Sequence, residues 1–277
     1  MAVATDTLER AVLAALAEDI GAGDVTTEAT VPEDAVGTAE LLVKERGVVC
    51  GLRAAESTFR ALDPDIRFEA LASDGDVIHE PPAVVARVTG SERAILTGER
   101  VALNFVGRLS GVATLTRGYV TAVEGTGTAV LDTRKTTPGL RALEKHAVAA
   151  GGGRNHRFGL DDAVLVKDNH LRAAGSVMDA VRLVRAASDL PIEVECETLT
   201  QVAEALEAGV DAILLDNMTL AELREAVALT AGRVRLEASG GVSLDTIRAI
   251  AETGVDEISV GALTHSARSL DVSLELR

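Results

Sequence analysis

Between residues 129 and 261 the chain repeats one pattern six times: a short apolar run that ends in polar or small residues. The runs are Ala129-Val-Leu-Asp-Thr, Ala163-Val-Leu-Val-Lys, Ile192-Glu-Val-Glu-Cys-Glu, Ala212-Ile-Leu-Leu-Asp, Val234-Arg-Leu-Glu-Ala and Glu257-Ile-Ser-Val-Gly. Stretches of helical spacing separate most of them, at 140–149, 176–187, 199–208, 220–231 and 244–253. Short strands alternating with helices imply parallel pairing and right-handed crossovers. Such a series closes into a barrel or spreads into an open sheet. The polar ends favour the barrel, because ligand sites of (β/α) barrels are assembled from the carboxyl ends of several strands. The third run adds a constraint. Glu193, Glu195 and Glu197 fall on one face by the two-residue period. Three carboxylates are costly in a dry core and fit a polar lumen that holds a cation.

The first hundred residues read differently. A helix is expected over 5–18, then turn chemistry through Asp19-Ile-Gly-Ala-Gly-Asp-Val-Thr-Thr. Strands are expected at 38–43, 48–50, 66–71 and 84–88, with a helix at 53–62. A helix at 91–109 and a second one around 112–123 lead into the repeating region.

Charge narrows the ligand. The 277 residues carry a net charge of −16, which repels nucleic acid. Aromatics make up 2% of the chain, too few for a base-stacking surface. No signal peptide or membrane span is recognisable, so a cytoplasmic protein is expected. Cys50 and Cys196 form no CxxC and no disulfide framework. Residues 133–172 reverse the sign. Arg134, Lys135, Arg141, Lys145, Arg154, Arg157, Lys167 and Arg172 face only Glu144, Asp161, Asp162 and Asp168. A positive island in an acidic chain points to a small, multiply anionic ligand.

Several constellations lie in or near this island. Gly151-Gly-Gly-Arg-Asn-His-Arg combines close backbone approach with guanidiniums that grip carboxylate or phosphate; it also reads as a flexible loop with solvated arginines. Arg134-Lys135-Thr136-Thr137, directly after a strand, reads as an anion pocket or a charge cluster at a helix end. Asp168 and His170 match no metal-ligand spacing. Glu195 and Asp216 end consecutive strands and suit Mg²⁺, or buried ion pairs with the island. Ser239-Gly-Gly and Ser259-Val-Gly-Ala end the last two strands, where barrels often bind phosphate. No Walker loop, G-x-G-x-x-G, serine triad or zinc-ligand spacing is present.

Taken in order, these motifs resemble the quinolinate phosphoribosyltransferase family over the full length. The resemblance rests on Glu18-Asp19-Ile-Gly-Ala-Gly-Asp-Val-Thr-Thr, Leu131-Asp-Thr-Arg-Lys-Thr-Thr-Pro-Gly-Leu-Arg and Gly151-Gly-Gly-Arg-Asn-His-Arg-Phe-Gly-Leu-Asp-Asp. It continues through Val166-Lys-Asp-Asn-His, Leu215-Asp-Asn, Ala238-Ser-Gly-Gly-Val and Ser259-Val-Gly-Ala-Leu-Thr-His-Ser. His146 departs from it, standing where the family pattern has tyrosine, and is given no role.

The resemblance implies an α/β fold: an N-terminal α+β open sandwich over 1–110 and a C-terminal (β/α) barrel with fewer than eight strands over 111–277. The last few residues are candidates to pack on the N-terminal domain. It implies an enzyme of NAD biosynthesis that joins quinolinate to phosphoribosyl pyrophosphate with Mg²⁺, giving nicotinate mononucleotide, pyrophosphate and CO₂. It places Arg100, Thr133, Arg134, His156, Arg157 and Lys167 on quinolinate, with Arg100 reaching a neighbouring subunit of a homodimer or a multiple of dimers. Lys135 is placed for pyrophosphate. Glu195 and Asp216 would hold Mg²⁺, partly through water, and the ribose hydroxyls; with Lys135 they form the expected catalytic set. Ser239, Gly240, Gly241, Val260, Gly261, Ala262 and His265 would cradle the 5-phosphate. A related transferase with another acceptor, and a non-catalytic phosphate-sugar sensor, are the competing readings.

Overall fold

The protein is described from a computed structural model covering residues 3–277, and it divides into two compact units. Among the described residues, one comprises 3–117, 136–152 and 263–277; the other comprises 118–135 and 153–262. In chain order the first elements are α1 (Thr5–Ile20), α2 (Val25–Thr30), β1 (Val36–Val43), β2 (Gly47–Val48) and α3 (Leu52–Leu62). They are followed by β3 (Arg67–Ala70), β4 (Val77–Ile78), β5 (Ala83–Ser91) and α4 (Glu92–Ala122). Then come β6 (Ala129–Leu131), α5 (Arg141–Ala150), β7 (Val164–Val166), α6 (Asp168–Ala174), α7 (Val177–Ala187) and β8 (Ile192–Cys196). The last are α8 (Leu199–Ala208), β9 (Ala212–Asp216), α9 (Leu220–Thr230), β10 (Arg235–Ser239), α10 (Ile247–Ala251), β11 (Glu257–Ser259), α11 (Ala262–His265) and β12 (Val272–Leu276). Among the described residues no helix is long and apolar enough to cross a membrane.

The first unit is built on an antiparallel sheet of order β12-β1-β5-β3. One face of that sheet is apolar: Ala39, Leu41 and Val43 alternate along β1 and are fully buried with Val85, Val88, Phe59 and Ile95. Burying each large side chain of this set stabilises the unit by about 1.5–3 kcal/mol.

Two expectations are corrected here. The loop at 19–27 is partly helical, because Asp24 caps α2 by accepting from the Thr27 amide at 3.0 Å. The two helices expected at 91–109 and 112–123 are the single helix α4. Gly111 does not break it: a Cβ there would collide with the Arg268 carbonyl oxygen, so this glycine permits a close approach in mid-helix. The chain's last residues form β12, which pairs with β1 from Ala39↔Leu276 to Val43↔Val272.

The second unit holds all six repeated runs as strands of one parallel sheet, order β6-β11-β10-β9-β8-β7. Val194, Ile213, Leu215, Leu236, Ala238 and Ile258 are buried between this sheet and its helices, with Val202, Ala205, Leu223, Ala226 and Ile247 opposite. Sequence neighbours β6 and β7 lie at opposite edges, and residues 154–157 run between them. Arg154 donates its amide to Val130 O at 2.8 Å and its carbonyl accepts from the Asp132 amide at 3.1 Å. Arg157 Nη1 reaches Ala163 O at 3.2 Å, beside β7. The sheet is thus an incomplete α/β barrel. Two local outcomes differ from the spacing. The helix expected over 244–253 starts only at Ile247, because Ser243 and Thr246 bond to each other first (Ser243 N to Thr246 Oγ1, 2.9 Å). The Lys167-Asp-Asn-His segment opens α6, where His170 Nδ1 accepts from the Lys167 amide at 2.9 Å.

Candidate active site

The register fixes which side chains share the inner face. Glu195 and Glu237 both lie opposite Leu214, Ser239 lies opposite Asp216, and Glu237 lies opposite Glu257. Glu193, Glu195, Asp216, Glu237, Ser239, Glu257 and Ser259 therefore line one polar lumen, as the two-residue period requires. Glu197 lies beyond the end of β8 and is exposed.

At the carboxyl ends of the strands the charges are arranged in pairs. Lys167 Nζ lies 2.9 Å from Glu195 Oε2; the lysine is half exposed and the carboxylate mostly buried. Asp216 Oδ2 accepts from Asn217 Nδ2 at 2.7 Å. Arg134 has a buried Nε with no hydrogen-bond partner. Burial, and after it the Arg134 charge, hold the Arg157 guanidinium below its usual value, while Asp162 and Glu193 act the other way. A buried donor left unsatisfied among cations suits an anion. Lys135 is exposed and its amide donates to Thr133 Oγ1 at 3.0 Å, a tight turn at the end of β6.

The glycine-rich segment owes its place to Asp132. This fully buried carboxylate accepts from Asn155 Nδ2 at 2.6 Å and from the His156 amide at 2.9 Å. It acts as a staple that presents His156 and Arg157 on fixed backbone. His156 turns inward: Nε2 lies 2.9 Å from Glu193 Oε2 and 3.2 Å from Glu237 Oε2. Burial opposes a charged ring, yet the bonds from Glu193 and then Glu237 prevail and lift its proton affinity to about 10. Glu237 is itself pushed up, by burial first. An imidazolium between two carboxylates, or a neutral ring with one carboxyl protonated, carries the same net charge of this trio. The Arg157 amide donates to Nδ1 at 2.9 Å, which directs Nε2 toward the two carboxylates. Glu237 and Glu257 were missed in sequence; their two-residue spacing from Ser239 and Ser259 was the available signal.

Backbone geometry at the last strands suits an oxyanion. Gly240 and Gly241 have φ of 98° and 60°. A Cβ on Gly240 would collide with the Asn217 side chain, and Asn217, also at positive φ, donates its amide to Ser239 O at 2.9 Å. Gly261 and Ala262 follow β11. Val260 is buried and donates its amide to Leu131 O at 2.9 Å, so it extends the sheet and offers no free donor.

Arg100 and His265 belong to the first unit. Arg100 is exposed on α4 and lines a groove of about 980 Å³ with α1 residues such as Arg10 and Ala14. His265 is exposed at the end of α11, its Nδ1 2.7 Å from Ser266 Oγ. Asp168 pairs with Arg172 at 3.6 Å and His170 caps α6, so neither is organised as a ligand.

These features define the protein's class: an enzyme of the α/β-barrel type whose substrates are small polyanions. Comparison with known proteins then identifies it further. The family models "Quinolinate phosphoribosyl transferase, N-terminal domain" and "C-terminal domain" match residues 24–110 and 112–275. The chain belongs to the quinolinate phosphoribosyltransferase family. It is 44% identical over 261 residues to the "Probable nicotinate-nucleotide pyrophosphorylase (carboxylating)" of Bacillus subtilis (strain 168), covering 94% of this chain and 90% of the relative. It is 42% identical to the chloroplastic enzyme of that name from Arabidopsis thaliana, covering 97% of this chain and 82% of the relative. The solved nicotinate-nucleotide pyrophosphorylase from Francisella tularensis superposes with a TM-score of 0.95 at 40% identity, covering 100% of this chain and 98% of that one.

Proposed function

We propose that this chain transfers the phosphoribosyl group of phosphoribosyl pyrophosphate to the ring nitrogen of quinolinate and releases CO₂, giving nicotinate mononucleotide and pyrophosphate for NAD biosynthesis. The observation that carries the reading is Arg134, whose buried Nε has no hydrogen-bond partner, in a segment that also carries Arg157 and Lys167. A dianion would satisfy that donor and balance the surrounding cations. Family relatives named for this reaction supply the substrate class.

Arg134, Arg157, Lys167 and Thr133 bind and orient the two quinolinate carboxylates. His156 is held by Glu193 and Glu237 beneath them and closes the floor of the pocket. Lys135 takes the pyrophosphate. Ser239, Gly240, Gly241, Gly261 and Ala262 present hydroxyl and backbone donors to the 5-phosphate, and His265 joins them. Glu195 and Asp216 are oxygen donors at adjacent strand ends, the hard-ligand set that Mg²⁺ prefers. These two carboxylates would hold Mg²⁺, which when bound would supply charge neutralisation for the departing pyrophosphate. The same carboxylates stabilise positive charge developing on the ribose ring. Nitrogen attacks C1 of the ribose as the C1–O bond to pyrophosphate breaks. As the C2–carboxylate bond breaks and CO₂ leaves, its electron pair stays on C2, stabilised by the positive charge on the adjacent quaternised nitrogen, and C2 then takes a proton. Fixed cations act chiefly through orientation and charge complementarity.

The groove beside Arg100 is the surface on which a second copy would sit in a homodimer, delivering Arg100 to the partner's quinolinate. The test is turnover with quinolinate, nicotinate or no acceptor, each with and without Mg²⁺. Pyrophosphate release only with quinolinate and Mg²⁺ is expected; release with nicotinate at a comparable rate would overturn the acceptor assignment.

A further inference from the structure

A second group of potential ligands lies in the first unit. Cys50, Asp74 and His146 place a thiol sulfur, a carboxylate oxygen and an imidazole nitrogen within 4.8 Å of one another. His146 Nε2 and Asp74 Oδ2 are hydrogen-bonded at 2.8 Å, a contact that a cation held between them would replace.

Two of the three ligands are held from behind. Asp74 Oδ1 accepts from the Gly51 and Leu52 amides at 3.0 and 3.4 Å, which leaves Oδ2 turned to the group. Cys50 is fixed through both backbone groups by Ser110: its amide donates to Oγ at 2.9 Å and its carbonyl accepts from Oγ at 3.1 Å. His146 stands on α5. Cys50 is fully buried, whereas Asp74 and His146 line a cavity of about 320 Å³ with Gly51, Leu52 and Leu143. The cavity supplies an entry path and space for a fourth ligand. Anchored first ligands with one open position are the arrangement of a tetrahedral site that retains water.

We propose that Cys50, Asp74 and His146 form a binding site for a borderline-soft divalent cation of the zinc class. Thiolate, imidazole and carboxylate together select such an ion over Mg²⁺ or Ca²⁺. The lumen trio of His156, Glu193 and Glu237 is the rival cluster, and its geometry disfavours a metal. There the Arg157 amide donates to His156 Nδ1 at 2.9 Å, so a cation on Nε2 would leave the ring proton no place. Binding at Cys50 releases its thiol proton to solvent and ties the start of α3 to α5.

The test is Co²⁺ titration of the full-length protein, read by absorption. The expected result is one equivalent bound, with a thiolate-to-cobalt band in the near ultraviolet and intense visible bands of tetrahedral Co²⁺. Zn²⁺ should displace the cobalt and raise the thermal midpoint, while Mg²⁺-dependent turnover stays within about twofold. Cys50→Ser should lose the thiolate band, and His146→Tyr should weaken binding at least tenfold. Cys196→Ser should change neither. His146→Tyr alters a partly exposed side chain and decides the matter if Cys50→Ser fails to fold. Absence of a saturable band, or an unchanged band in His146→Tyr, would overturn the site.

Discussion

Lys167 Nζ lies 2.9 Å from Glu195 Oε2, so the cation placed for one substrate and the carboxylate placed for the other are partners in the free protein. Each substrate must therefore loosen a bond that holds the other's ligand. Lys167→Ala and Glu195→Ala should each depress turnover strongly, and the double variant should fall well short of the product of the single losses. A double-mutant cycle on kcat/KM checks this; strict multiplicativity would show that the pair does not act as a unit.

Arg157 should discriminate between substrates. A hydrogen bond to a charged group contributes about 1.5–3 kcal/mol, so Arg157→Ala is expected to raise KM for quinolinate roughly 10–150-fold. KM for phosphoribosyl pyrophosphate should move little. Equal losses for both substrates in steady-state kinetics would count against its assignment to the carboxylates.

Gly240 supplies the opposite specificity. Its φ of 98° suits glycine, and a Cβ would strike the Asn217 side chain. Gly240→Ala should raise KM for phosphoribosyl pyrophosphate at least tenfold and leave quinolinate binding nearly intact, as measured by calorimetry of each substrate. A selective loss of quinolinate would contradict the phosphate cradle.

The lumen trio should give stability a pH slope. His156 has its proton affinity raised to about 10 in the folded chain, with burial opposing and the Glu193 and Glu237 bonds prevailing. A raised group contributes stability that is complete below its unfolded value near 6.5 and is lost as pH climbs towards 10. The thermal midpoint should fall between pH 7 and 10, and His156→Asn should flatten that fall. A slope unchanged in the variant would refute the sharing of protons among the three groups.

Arg108 and Glu144 anchor the first unit. Arg108 Nε and Nη2 donate to Glu144 Oε1 at 3.0 and 2.7 Å, and Thr137 donates its amide to Oε2 at 2.9 Å. Glu144 is fully buried. Removing one member of such a pair leaves a charge without compensation and costs about 3–5 kcal/mol. Glu144→Ala should show that loss in denaturant unfolding, and a loss below 1 kcal/mol would mean that solvent rescues Arg108.

The barrel was legible because its signal is local. Each of the six apolar runs became a strand, and the polar residues that end them, from Lys167 to Ser239, gather at one rim. What sequence missed depends on partners far along the chain. Gly111 looked like a break and proved to be a contact with the Arg268 carbonyl. Residues 272–276 become a strand through pairing with β1 and packing on the core of that unit. The His156 ring is held by Glu193 and Glu237, carboxylates 37 residues and more away. Asp132 is the buried staple of the segment that carries Arg157.

The central claim is that one site forms the C1–N bond and then breaks the C2–carboxylate bond. Quinolinate labelled in its 2-carboxylate, incubated with phosphoribosyl pyrophosphate and Mg²⁺, tests this most directly. One labelled CO₂ per pyrophosphate and per nicotinate mononucleotide is the expected ratio. Pyrophosphate formed without labelled CO₂, or label retained in the nucleotide, would contradict the account.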